Sequence, residues 1–135
     1  MLDQLLESGE VEVERIASHH FSRARIFDLQ FQPLAALPHY AKAYQYRPEN
    51  PTYEQAYADT LQKQHEYGKA EPVYVAVLQT YRQLAAANPA AYLPNVAMIL
   101  NNLGNLYRDM QRLDEALRVQ EEAEAIRKRL TNDMS

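Results

Sequence analysis

The 135-residue sequence contains no cysteine, which excludes disulfides, thiolate metal sites and cysteine nucleophiles while leaving the compartment open. It has only three glycines and no long serine- or glycine-rich tract, so it is neither a flexible linker nor a disordered chain. No stretch approaches the roughly 20 apolar residues that cross a bilayer. The opening MLDQLLESGE is acidic and lacks the apolar run of a secretory signal. A soluble, cytoplasmic protein with no membrane attachment is therefore expected. Catalytic signatures are missing as well: there is no glycine-rich phosphate loop, no H-E-x-x-H and no serine elbow. Asp114-Glu115 and Glu121-Glu122 are consecutive and read as solvated helix faces, and Arg127-Lys128-Arg129 complements a helix C-terminus. We expect no enzymatic activity and no cofactor.

The net charge of −4 arises entirely in residues 1–16, where Asp3, Glu7, Glu10, Glu12 and Glu14 face only Arg15. The remainder is neutral. A neutral body has no field that concentrates phosphate, so nucleic acid is not an expected partner. The four histidines do not suggest a metal site. His19 and His20 are adjacent and point roughly 100° apart on a helix, and His39 and His65 have no ligand at helical spacing beyond the adjoining Glu66.

What the chain does have is apolar residues recurring at three and four, with no sustained alternation of period two. Val13, Ile16, Ala17, His20, Ala24 and Phe27 form one helical stripe; Leu34, Leu37, Tyr40, Ala41 and Tyr44 form the next. Breakers at Gln32-Pro33, Arg47 to Pro51, Tyr67-Gly68, Asn88-Pro89 and Asp109 to Gln111 divide the chain. The spacing predicts six helices in antiparallel pairs, about 11–30 with 33–47, 51–66 with 69–87, and 92–110 with 113–131. A short extra helix through Leu2, Leu5 and Leu6, ended by Ser8-Gly9, is also expected. Pro94 either starts the fifth helix or kinks it.

Columns recur 34 residues apart: Ala24 with Ala58, Ala36 with Ala70, Pro38 with Pro72, Tyr40 with Tyr74. Such a period marks stacked repeats, each burying its apolar face on its neighbours. Counting units from Ala17, Pro51 and Ala97, position eight is Ala24, Ala58 and Gly104, and position 20 is Ala36, Ala70 and Ala116. Position four departs in the first two units, with His20 and Glu54 in place of a large apolar residue, and position 24 of unit three is Gln120. The third unit, Leu100-Asn101-Asn102-Leu103-Gly104-Asn105-Leu106-Tyr107 followed by Asp114-Glu115-Ala116-Leu117, resembles the tetratricopeptide repeat, in the longer form of kinesin light chains and many bacterial proteins.

The resemblance implies an all-α, right-handed solenoid of about three repeats. The expected boundaries are 17–50, 51–96 and 97–130, after an acidic helical segment at 1–16 and before a tail at 131–135. The 46-residue spacing from Ala58 to Gly104 implies a longer second helix and connector around residues 84–94. The resemblance also implies a noncatalytic module that binds a peptide segment of a partner protein along the concave face made by the first helix of each unit. Carried over by position, the candidates there are Asn101, Asn102, Asn105 and Arg108 in unit three, Arg25 in unit one, and Asp59, Gln62 and Lys63 in unit two. Asn102 and Asn105 offer both donor and acceptor to a peptide backbone, and Arg25 and Arg108 can fork onto carboxylates. Asp59 stands where a dedicated carboxylate clamp would need more positive charge.

Two other readings stay open. The last paired helix would leave Leu113, Leu117, Ala123, Ile126 and Leu130 uncovered on one side, which favours a homo-oligomer through that helix. The chain would otherwise be the regulatory repeat region of a larger multidomain protein. Of the tyrosines, Tyr40, Tyr74 and Tyr107 fall on inward positions and read as core, whereas Tyr44, Tyr46, Tyr53, Tyr67, Tyr81 and Tyr92 are less constrained.

Overall fold

The computed structural model describes residues 2–134, with side chains described from 8 to 132. Among the described residues there are six helices and no strand: α1 (Leu2–Leu29), α2 (Pro33–Tyr46), α3 (Pro51–Lys63), α4 (Tyr67–Ala87), α5 (Pro89–Asp109) and α6 (Leu113–Met134). They fall into two compact units, Met1–Gln64 with α1 to α3 and His65–Ser135 with α4 to α6. No helix is long and apolar enough to cross a membrane among the described residues.

In the first unit α2 packs on both α1 and α3. The contact surface is alanine: Ala17, Ala24, Ala36, Ala43 and Ala58 are all fully buried. Within each helix these alanines sit seven apart, two turns, so one stripe stays narrow enough for backbones to approach. The space left beside them is filled by rings. Tyr40 closes on Ala24 and Ala36, with Phe21, Phe27, Ala56 and Tyr57 packed around that cluster. Tyr53 and Phe21 do the same beside Ala17 and Ala43.

In the second unit α5 packs on α4 and α6. Its core is aliphatic: Val73 and Val77 of α4, Val96, Ile99, Leu100, Leu103 and Leu106 of α5, with Ala116 and Ala123 of α6. Ala123 is therefore not part of an uncovered surface. Ile126 and Leu130 are half-buried, and only Leu113 and Leu117 of the five residues read as uncovered are exposed, because the remainder of α6 turns its apolar side to α5.

Three local expectations are corrected. Ser8-Gly9 does not end a short helix; α1 runs through it for 28 residues. Arg47 at the end of α2 steadies that stretch, donating to Glu14 Oε2 at 2.7 Å, to Glu10 Oε2 at 2.9 Å and to the Glu10 carbonyl at 3.0 Å. The side chains of Leu2, Leu5 and Leu6 lie outside the described residues. The extra residues between units two and three do not make a connector either. Asn88 alone separates α4 from α5, capping the second through its side chain to Ala91 N–H at 3.3 Å, and both helices reach 21 residues. Finally, Pro89 occupies the first turn of α5, where its missing N–H costs nothing, so Pro94 lies inside the helix rather than starting it.

The turns carry the repeat register independently. Phe31, His65 and Gln111 all adopt left-handed backbone, with φ of 57°, 60° and 60°. They stand 34 and 46 residues apart, at the same place in each unit. Gln32 N–H reaches back to Phe27 O and Arg112 N–H to Tyr107 O, the same end-of-helix closure in units one and three.

Gly104 holds the small-residue position on α5, and a Cβ built there would lie 2.9 Å from Gln120 Cγ on α6. The obstacle is one flexible side chain and not backbone, so it can be removed. Gly104→Ala together with Gln120→Ala should stabilise the chain by about 1 kcal/mol through helix propensity. Gly104→Ala alone should fall short of that, because Gln120 must shift. Urea midpoints of the two single variants and the double would read this non-additivity.

Candidate functional site

The first unit contains a cleft of about 300 Å³ lined by Phe21, Arg25, Asp28 and Tyr40 of α1 and α2 and by Thr52, Gln55, Ala56, Asp59, Thr60 and Lys63 of α3. The α1 residues are spaced by four and three, and Thr52, Gln55, Asp59 and Lys63 by three, four and four. Each helix thus turns one stripe into the cleft. Of the residues expected from sequence, Arg25, Asp59 and Lys63 are brought together here. Gln62 is half-buried and does not line the cleft; it is one residue short of the stripe that Asp59 and Lys63 share.

Tyr40 is the residue that sequence reasoning missed. Its ring belongs to the core, only 2% exposed, but its hydroxyl emerges at the cleft and donates to Asp28 Oδ2. Burial, then the bond to Asp28, pushes the Tyr40 phenol well above its ordinary range. Phe21 stacks obliquely on Tyr40 at 5.8 Å between ring centroids, and the Arg25 guanidinium lies 5.7 Å from the Phe21 ring centre. The result is a wall made by the Phe21 ring and the Tyr40 hydroxyl, with Arg25 and Lys63 supplying positive charge and Asp28 and Asp59 supplying negative.

The remaining candidates lie on α5. Asn101 and Asn102 are half-buried, Asn105 and Arg108 exposed. Arg108 Nη1 donates to Asn105 Oδ1 at 3.0 Å, so these two form one polar group on consecutive turns. Nearby in the same unit, Arg112 is held by Glu115 Oε1 at 2.7 Å and Glu71 Oε2 at 2.7 Å, and lies 4.6 Å from the Tyr107 ring centre. Its role is to tie α4, α6 and the α5–α6 turn together.

The less constrained tyrosines divide. Tyr53 and Tyr81 are buried, and Tyr44 packs on Tyr57 at 5.4 Å. Burial and then the Glu54 carboxylate raise the Tyr44 phenol. Among the described residues no group of three or more His, Cys, Asp or Glu could hold a metal ion. Two histidines that seemed unrelated do meet, however: His20 of α1 and His39 of α2 face each other with Nδ1 atoms 3.0 Å apart.

A family model described as the tetratricopeptide repeat matches residues 50–129. Among solved structures, the crystal structure of BtubC (BKLC) from P. vanneervenii is similar over 84% of this chain and 46% of its own, with 25% identity and a TM-score of 0.72. This chain thus spans less than half of that protein. The N-terminal domain of stress-induced protein-1 (STI-1) from C.elegans is similar over 91% of this chain and 98% of its own, with 15% identity and a TM-score of 0.70. At that identity the likeness speaks for the fold alone. No curated protein matches the sequence.

The Tyr40–Asp28 bond generates a prediction with a definite sign. The folded phenol is raised above its unfolded value of about 10. Its contribution to stability is therefore complete below pH 10 and is lost as pH rises toward the folded value. Tyr40→Phe should cost about 1 kcal/mol at pH 7 and flatten the alkaline fall in the urea midpoint between pH 9 and about 11.

Proposed function

Because this chain belongs to the tetratricopeptide repeat family, whose all-α fold it carries as about three helix pairs, we propose that it is a noncatalytic module that binds an extended segment of a partner protein in the α1–α3 cleft. Protein binding is the general business of such repeats; the cleft is the particular. The observation that supports it is that side chains from three helices converge there, an aromatic wall beside opposed charges, with no catalytic constellation among them. Phe21 would take an apolar side chain, beside the Tyr40 hydroxyl. Arg25 and Lys63 would meet an acidic group, and Asp59 a basic one, so the segment recognised is mixed in charge. In the second unit, Asn102, Asn105 and Arg108 on α5 would separately offer polar contacts to a peptide backbone.

A second reading rests on α6. Leu113 and Leu117 are 61% and 58% exposed one turn apart, which favours self-association through that helix. Light scattering over a hundredfold range of concentration separates the two: a constant monomer removes self-association.

Peptides selected from a random display library against the intact chain provide the probe. Arg25→Ala with Lys63→Ala should weaken the selected peptides by about tenfold or more, with the helical circular dichroism unchanged. Asn102→Ala with Asn105→Ala should weaken them by a smaller factor. Affinities unaltered by both pairs of substitutions would overturn the reading.

A further inference from the structure

The pair formed by His20 and His39 occupies positions that unit three fills differently. Position four is His20 in the first unit and Leu100 in the third; position 23 is His39 in the first, Val73 in the second and Val119 in the third. Leu100 is fully buried. The fold therefore builds this spot from aliphatic side chains in one unit and from two imidazoles in another. Packing alone does not call for histidine here.

The imidazoles are held as a stack. His20 and His39 lie 5.3 Å apart between ring centroids at an interplanar angle of 29°. Phe27 stacks on His39 at 5.6 Å and Tyr46 on His20 at 6.4 Å. Their Nδ1 atoms, 3.0 Å apart, can bond only if one carries a proton and the other a lone pair. A first added proton goes to a free Nε2 and leaves that bond in place. A second must go to the accepting Nδ1, where it removes the lone pair and sets two cations in contact.

We propose that His20 and His39 form an acid-sensitive clasp between α1 and α2, released when the second imidazole is protonated, and that its release loosens the wall of the cleft. Each histidine adjoins a wall residue in sequence: Phe21 follows His20 on α1, and Tyr40 follows His39 on α2. A shift of one helix against the other at the clasp therefore carries the Phe21–Tyr40 contact with it. That consequence for binding rests on the cleft being the binding site; the clasp itself does not.

The surroundings favour release. On α1 the groups acting on His20 are His19 and Arg23, and on α2 they are His39 and Lys42, with the Tyr46 ring against its face. Burial first, and then these cationic neighbours, hold the His20 imidazole below its ordinary value. A group whose folded value is depressed contributes stability above its unfolded value, about 6.5, and loses it as pH falls through the folded one. The clasp is thus closed at neutral pH and opens on the acid side, where histidine switches commonly act.

The test compares the parent chain with the His20→Leu/His39→Val variant, which copies Leu100 and Val119. Between pH 7.5 and 5.0 the unfolding constant of the parent should rise by roughly threefold or more, and that of the variant should rise by less. In the parent, proton-detected titration should place the His20 midpoint below its ordinary value of about 6.5, and nuclear Overhauser contacts between the Phe21 and Tyr40 rings should weaken over the same interval. An equal rise in both chains, or a His20 midpoint at its ordinary value, would overturn the clasp. Ring contacts that persist at pH 5.0 while His20 titrates as described would overturn its link to the cleft. The titration uses the parent alone, so it decides the matter even if the double variant does not fold.

Discussion

Everything in the first unit depends on how closely α1, α2 and α3 approach through alanine. Ala24, Ala36 and Ala58 are fully buried, and a larger side chain at any of them would cost roughly 1–3 kcal/mol by forcing the helices apart. The same close approach obliges a large residue to sit beside the small ones, and Tyr40 does so against Ala24 and Ala36. A phenylalanine could supply the volume. A tyrosine supplies it and also delivers a hydroxyl to the cleft, where Asp28 accepts its hydrogen bond. This part of the cleft is thus a by-product of core packing, since the residue whose ring closes the helix pair also sends its hydroxyl to the cleft.

How much of this was legible in the sequence follows from which features are local. The columns 34 residues apart are read along the chain, and the turn residues Phe31, His65 and Gln111 repeat the register in the backbone itself. Some helix ends were legible from proline and a capping asparagine, as at Asn50-Pro51, where the Asn50 side chain accepts from Thr52 and Tyr53 N–H. The longer second helix, α4, was legible, but the connector expected after it and the later start given to α5 were not borne out, because Asn88 ends one helix and begins the next within a single residue. Ser8-Gly9 was misjudged because a breaker pair was outweighed by the tie from Arg47, 33 residues away from Glu14.

The site divides along the same line. Arg25, Asp59 and Lys63 could be placed by counting along helices, because a stripe at three and four shares one face. That Gln62 lies outside the lining of this cleft is seen only in the geometry, since it neighbours the stripe in number but not in direction. Tyr40 was hidden by its own burial, since an inward position says where the ring goes and nothing about its oxygen. His20 and His39 were hidden because they are 19 residues apart on different helices, and no spacing rule connects them.

Both units combine an apolar interior with polar joints between helices. In the second, the interior is largely valine, leucine and isoleucine, whose attraction does not depend on proton concentration, while Arg112 bridges Glu71 and Glu115 and Arg82 pairs with Glu122. In the first, the joints between helices include a histidine pair, a tyrosine–aspartate bond and an arginine shared by two glutamates. Such directional, titratable contacts contribute less than an aliphatic core when conditions move away from neutrality, and they leave the helices readier to shift. The cleft lies in this first unit. If the cleft binds a chain segment as proposed, walls that can yield would help it to admit and release that segment. Of the first unit's joints, which all tie α1 to α2, only the Tyr40–Asp28 bond lies in the lining of the cleft, so loosening of the other two would reach the proposed site only through a shift of the helices themselves.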